Sequence, residues 1–487
     1  MKTLSWALAL FIASALPATA QGSGTDVPAV PTVEHYKLAF VLDPTNHSLS
    51  ADADLSLRNT GEHPLTNVPI LLYRLMDVEQ VSDAQGRPLA FEQKVVKFPD
   101  DPVWQVNYAQ VTLPSPLEPN QATVIHVKYA GQLFGYSEAW AYVHDTISED
   151  YSLIRSETLS YPTVAAPSQA SRQQAVRSSK FDYEVDTTVP EGFIALCTGD
   201  DTAPPAAQNG RSTFHCVGEP ESSLLSLAVA KFKAFTDPQA GLRVYAMPSD
   251  AADGVRILGE MRRSLDFYSS YLRPLPGGRL TLVEIPDGWG SYATGDHIFQ
   301  AAAAFKDKER AHELWHEISH RWAKACAFGT CNPQVQRTRY FDEAFATYFE
   351  ALAVRQFQGE EAFRKFMQST RESFIERATK DPRGQTTAIA DYGRDELGGF
   401  SYNKGAWSLY VLHQLLGEEQ FRRSMSEFLH AYNGNVGFED FRRSLEKTSG
   451  RDLQPWFQQW ILSGPESSTL LFEGRTVEEM AAKCKTE

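Results

Sequence analysis

The chain has 487 residues, 42% of them hydrophobic and 22% charged, which suits two or three domains with sizeable buried cores. Its formal net charge of −15 lacks the clustered Lys and Arg that nucleic-acid phosphates or an anionic membrane surface would need, so no nucleic-acid partner is expected. Lys2, an apolar run from Leu4 to Leu16 and the small-x-small triplet Ala18-Thr19-Ala20 read as a signal peptide over residues 1–20. They predict an exported protein, periplasmic or extracellular, with a retained N-terminal anchor as the alternative. No later segment approaches the about 18 apolar residues of a membrane span, so no transmembrane segment is expected after signal cleavage. Five cysteines suit an oxidising compartment. Cys197 and Cys216 flank a turn-rich stretch and could staple a hairpin, Cys326 and Cys331 could close a small loop, and Cys484 would then stay free.

From about residue 33 to 246 the apolar pattern has period two, the mark of half-buried strands. Tyr36, Leu38, Phe40 and Leu42 alternate with other residues, as do Leu49, Ala51, Ala53, Leu55 and Leu57. Ile125, Val127 and Tyr129, then Phe181, Tyr183 and Val185, do the same. Antiparallel sheets packed face to face are the expected product. Near residue 250 the period becomes helical: Val255, Ile257, Leu258, Met261, Leu265, Phe267 and Tyr268 predict a helix that Pro274 ends. A strand at Leu280 to Ile285 and a Gly-rich turn follow, and long helical patterns then dominate to Ile461. The predicted organisation is a β-rich N-terminal domain over 33–246, a mostly helical domain over 247–465, and a C-terminal tail over 466–487.

The chemistry concentrates in His316-Glu317-Ile318-Ser319-His320. On a helix the two histidines lie one turn apart on one face, so both can reach a single ion, with Glu317 projecting roughly 100° round the helix. A zinc ion in such a site keeps an open position for water, makes that water acidic and polarises a carbonyl, while a neighbouring carboxylate takes the proton. The overlapping segment His312-Glu313-Leu314-Trp315-His316 matches the same pattern. His312 and His320 diverge by roughly 80° round the axis, so the two registers compete for one small tetrahedral site. A second helical segment, Phe341 to Glu350, follows His320 and brings Glu343 after 22 intervening residues.

HEISHRW at His316 to Trp322 and FDEAFATYFE at Phe341 to Glu350 resemble the paired zinc helices of the aminopeptidase N-like gluzincins. Trp322, two residues after His320, matches the family's tryptophan and selects the 316/320 register. The resemblance implies one Zn2+ per chain on His316, His320 and Glu343, Glu317 as general base, and peptide substrates. Phe400 to Ala406 is similar to the segment whose tyrosine stabilises the tetrahedral intermediate, which implies that role for Tyr402. The implied fold is a saddle-like antiparallel β domain followed by a thermolysin-like, mainly helical zinc domain.

Three departures stand out. The gap between His320 and Glu343 is longer than usual and contains Cys326 and Cys331. The family's Gly-Ala-Met-Glu-Asn strand is absent as such. Aligned on Trp289-Gly290, Asp287 takes the place of the amine-binding glutamate, with Gly288, Trp289 and Gly290 beside it; Pro-Asp-Gly is equally a turn sequence. Finally, only about twenty residues follow the catalytic domain, which implies an open cleft. The expected activity is removal of N-terminal residues from peptides. An endopeptidase or a non-peptide, epoxide-type hydrolase is the first alternative, and an inactive exported binding protein the second. Oligomeric state is not legible in the sequence.

Overall fold

The computed structural model describes residues 29–139, 143–178, 180–201, 205–218, 224–275, 278–323, 333–394, 396–431 and 436–484. The signal segment and the Cys326/Cys331 pair lie outside these.

The period-two segments form strands as expected. Thr32–Asp43 buries Leu38, Phe40 and Leu42 on one face and pairs antiparallel with Ser48–Arg58, which pairs in turn with Ala122–Gln132. They belong to an eight-stranded sheet that is antiparallel except where Thr32–Asp43 runs parallel to Asp182–Pro190. A four-stranded sheet of Phe91–Lys97, Gln105–Leu117, Leu65–Tyr73 and Thr163–Val164 faces it. Alternate side chains of both sheets fill one apolar core, which includes Leu55, Ile70, Val106 and Val127. Cys197 and Cys216 are disulfide-bonded. They join the strands Ile194–Cys197 and Arg211–Gly218 across two sheets, so the bond staples neighbouring sheets and not the two arms of one hairpin.

A small three-stranded sheet of Ile194–Cys197, Ser226–Ala230 and Ser152–Arg155 joins this region to the rest. Its Leu153, Leu196, Ala228 and Ala230 pack against Val283, Ile285 and Phe299 of the next sheet. That next sheet has the order Lys233–Asp237, Leu242–Ala246, Leu280–Ile285, His297–Ala301, Tyr292–Thr294, parallel in its centre and antiparallel at both edges. The two strands before residue 246 therefore join this sheet, through pairs such as Leu242 with Leu280. Period two identifies a strand but not the sheet it joins.

Helix Ala251–Tyr271 packs Ile257, Met261, Leu265 and Tyr268 into the helical core, while Val255 stays exposed. The segment expected to be a tail is part of that core. Pro465–Phe472 and Val477–Ala482 are helices with Leu470, Leu471, Val477 and Met480 buried. The Arg371 guanidinium donates to the carbonyls of Leu471 at 2.7 Å and of Leu470 and Arg475 at 3.0 Å. Cys484 is free and buried. No helix among the described residues is long and apolar enough to cross a membrane.

Candidate metal centre

Helix Ala311–Ser319 presents His316, and His320 caps it. Apolar Leu314, Trp315 and Ile318 hold its opposite face in the core. The Tyr268 hydroxyl lies 3.0 Å from the Trp315 carbonyl and 3.2 Å from that of Phe349, so one side chain pins this helix and helix Phe345–Gln358 together. Trp322 is buried and its indole N–H donates to Arg273 O at 2.8 Å, a structural role. Glu343 stands on a π-helical turn, Tyr340–Ala344, that leads into the second helix. Tyr402 stands on another, Ser401–Gly405. Such turns shift side chains off the regular helical spacing and recur at functional sites.

His316, His320 and Glu343 can each offer one ligand atom, all within 4.8 Å of one another. Glu343 Oε2 is 3.2 Å from His316 Nε2 and 3.6 Å from His320 Nε2, while Arg339 holds Oε1. The carboxylate therefore turns a single oxygen towards both imidazoles. Each histidine is oriented from behind: His316 Nδ1 by Glu350 Oε2 at 2.9 Å, and His320 Nδ1 by Asp342 Oδ1 at 2.9 Å. Carboxylates behind metal-binding imidazoles fix ring orientation and tautomer. The other Glu350 oxygen is 2.7 Å from His312 Nδ1. His312 thus pairs with Glu350 and lies outside the group that His316, His320 and Glu343 form among the described residues. Two imidazole nitrogens and one carboxylate oxygen are the protein donor set of a hydrolytic zinc site. One zinc ion fits this donor set, and His316, His320 and Glu343 would hold it.

Burial works against charge at these groups, but opposite charges outweigh it. Arg339 and then the histidines hold the Glu343 carboxyl far below the usual range, and Glu343 and Glu350 raise His316. Glu317 differs: burial pushes its carboxyl up against the pull of both imidazoles, and no hydrogen bond or ion pair engages it among the described contacts. A free carboxylate with a raised affinity for protons is what a base needs. The Tyr402 ring lies parallel to His316, centroids 6.2 Å apart, and burial followed by the Glu343 charge pushes its phenol well up, so it remains a donor.

Asp287 is not brought to this cluster by any described contact. Pro286 O accepts from Trp289 N at 3.4 Å and Gly288 has φ +84°, so Asp287 sits exposed in a turn that needs a positive φ at its third residue. Trp289 packs edge-on against Tyr151 at 5.3 Å, at the seam between domains. Gly290 leads to Ser291, whose hydroxyl accepts from Ala301 N at 3.0 Å. The antiparallel edge strand is instead Tyr292–Thr294, tied to the end of the motif helix through Arg321 and the Gly295 carbonyl. It carries no carboxylate. Sequence reasoning also missed three supporting residues. Glu350, seven residues after Glu343 and so on nearly the same helix face, was open to detection. Arg339, four residues before Glu343 at an ion-pair spacing, was equally open to detection, whereas Asp342 carries no such signal.

Residues 296–460 match the Peptidase family M1 domain. The chain is 25% identical over 306 residues to aminopeptidase M1-C of Oryza sativa, covering 58% of this chain and 34% of the relative. It is 24% identical over 278 residues to the leucyl aminopeptidase of Saccharolobus solfataricus, covering 52% and 34%. It thus spans about a third of the length of these relatives. The M1 zinc metallopeptidase of Deinococcus radiodurans superposes with a TM-score of 0.59 at 19% identity, over 92% of this chain and 96% of that one. The fold is shared with that two-domain metallopeptidase structure. The match at residues 296–460 takes in His316, His320 and Glu343, and over that segment the chain is similar to the M1 peptidases.

Proposed function

We propose that this protein is an exported zinc peptidase that removes N-terminal residues from peptides. The convergence of His316, His320 and Glu343 beside an unpaired Glu317 supports it most directly. Zinc on those three residues would acidify water and polarise the substrate carbonyl. Glu317 takes the proton from the attacking water on its carboxylate and passes it to the leaving amine. The Tyr402 hydroxyl donates to the oxygen that gains charge as the carbonyl becomes tetrahedral. The edge strand Tyr292–Thr294 offers main-chain groups along which an extended peptide can lie. Export is supported by the residue 1–20 pattern and by the Cys197–Cys216 disulfide, which suits an oxidising compartment.

One observation favours a second possibility. Asp287 is exposed on a turn and the edge strand Tyr292–Thr294 carries no acid, so neither offers a buried carboxylate to a free α-amine. An enzyme of this kind would also accept peptides with blocked N-termini. The test is mass-spectrometric product identification with zinc-loaded protein on paired free and N-acetylated peptides. Stepwise loss of N-terminal residues from free peptides alone supports exopeptidase action, and equal cleavage of both supports the second possibility. Glu317→Gln should keep its zinc and lose at least about 100-fold in kcat; full activity in that variant would sink the mechanism.

A further inference from the structure

We propose that Lys404 is a positioning residue for Tyr402, and that the C-terminal helices Pro465–Phe472 and Val477–Ala482 form the support it anchors to. The proposal rests on the site described above, and its starting point is a charge that stability does not explain. Lys404 is fully buried and has no carboxylate partner among the described contacts. Its Nζ donates to Gly464 O at 2.9 Å and to Ser468 Oγ at 3.0 Å, and lies 5.9 Å from the ring centroids of both Phe374 and Tyr392. Burying an amine this deeply is costly, and an apolar side chain of similar length would fill the space without that cost.

What the lysine does is join two segments 60 residues apart. One is the π-helical turn Ser401–Gly405, on which Tyr402 stands two residues away. The other is the start of helix Pro465–Phe472, whose place is closely fixed. A Cβ on Gly464 would lie 2.2 Å from Thr386 O, so only glycine allows this approach. Ser468 Oγ also donates to Gln385 O at 2.9 Å, and Arg371 holds the far end of the helix through three carbonyls. On its other side the turn is tied by the Ser401 hydroxyl to Thr338 O at 2.5 Å. Tyr402 is therefore held between two anchors: one leads to the Glu343 turn and the other to the C-terminal helices. Loss of the second leaves the phenol free to shift relative to the substrate oxygen, and misplacement by about 1 Å costs roughly 100-fold in rate.

The test compares Lys404→Met and Lys404→Gln, each alone and with Tyr402→Phe, in full-length zinc-loaded protein. Lys404→Met should lower kcat by roughly 10- to 100-fold, leave KM within about threefold and leave zinc content unchanged. Lys404→Gln keeps neutral donors and should recover much of the loss. In the Tyr402→Phe background the Lys404→Met loss should vanish, because the lysine acts through the tyrosine. A second readout needs no turnover: 3-fluorotyrosine placed at position 402 should give one sharp 19F resonance in the parent protein and a shifted or broadened one in Lys404→Met. An unchanged 19F resonance, or an equal kcat loss with and without the Tyr402 hydroxyl, would overturn the proposal. A parent protein that cleaves no peptide would refute the peptidase assignment, while the 19F comparison would still decide the role of Lys404.

Discussion

The two halves of the metal site are built in different ways. His316 and His320 ride on a regular helix, where four-residue spacing alone puts both rings on one face. Glu343 and Tyr402 stand on π-helical turns 59 residues apart in sequence, and their placement depends on how closely those turns approach. A Cβ on Gly405 would lie 2.5 Å from Ala344 Cβ and 3.2 Å from the Tyr340 ring, so the approach depends on glycine at that point. One half of the centre is local geometry; the other is tertiary packing with little tolerance. Mutations should therefore damage the two halves in different currencies.

Gly405→Ala is the most direct way to break this contrast. Overpacking at a close contact costs about 1–3 kcal/mol, and the strain falls on the turns that carry Glu343 and Tyr402. A melting temperature lowered by several degrees together with a kcat loss of more than about tenfold is expected. Normal kcat in a stably folded Gly405→Ala protein would show that the two turns need not be in register. Glu350→Gln probes the other half. It weakens the support behind His316 and His312 while leaving both turns alone. Zinc affinity, measured by competition with a chelator, should fall roughly 10- to 100-fold, while kcat at saturating zinc changes much less. A large kcat defect with unchanged zinc affinity would contradict the assignment of Glu350 as an orienting group.

The same contrast explains what was legible in the sequence. The strands of the first domain and the histidine helix follow from periodicity, which is local. His316, Glu317 and His320 are legible because motif spacing is itself a statement about a helix face, and Glu343 is legible through the resemblance of the second helical segment. Of the two readings of Asp287, the turn follows from the local Pro-Asp-Gly signal and is what the chain forms, whereas a role towards a substrate amine depends on a substrate and is not written in local sequence. The sheet that the strands before residue 246 join, and the packing of the helices after Gly464, are not legible for a related reason. Nothing local tells strand Leu242–Ala246 which sheet to join, or the segment after Gly464 that Arg371 and Lys404 await it. Lys404 makes its contacts 60 residues away, and periodicity is blind to them.

The smallest expected effect concerns pH, and it follows from the burial of Lys404. Burial pushes its ammonium down from 10.5 to about 7. Below about 7 folded and unfolded chains both carry the proton, and the full burial penalty opposes folding. Between about 7 and 10.5 the unfolded chain keeps a proton that the folded chain has released, so stability rises with pH, by at most about 1.4 kcal/mol per pH unit. Glu284 pulls the other way. Burial, then the neighbouring Asp250, raise its carboxyl from 4.5 to about 9, so its contribution is lost as pH climbs through that interval. Between about 7 and 9 the two slopes oppose each other, and the parent protein should show little net change from this pair. Lys404→Met removes only the rising slope. Its chemical-denaturation midpoint, measured at saturating zinc, should fall relative to the parent protein as pH goes from 7 to 9. Parallel pH curves for the two proteins would mean that Lys404 keeps its proton in the folded state, held by the Gly464 carbonyl, the Ser468 hydroxyl and the two rings, and the burial penalty invoked for it would be wrong.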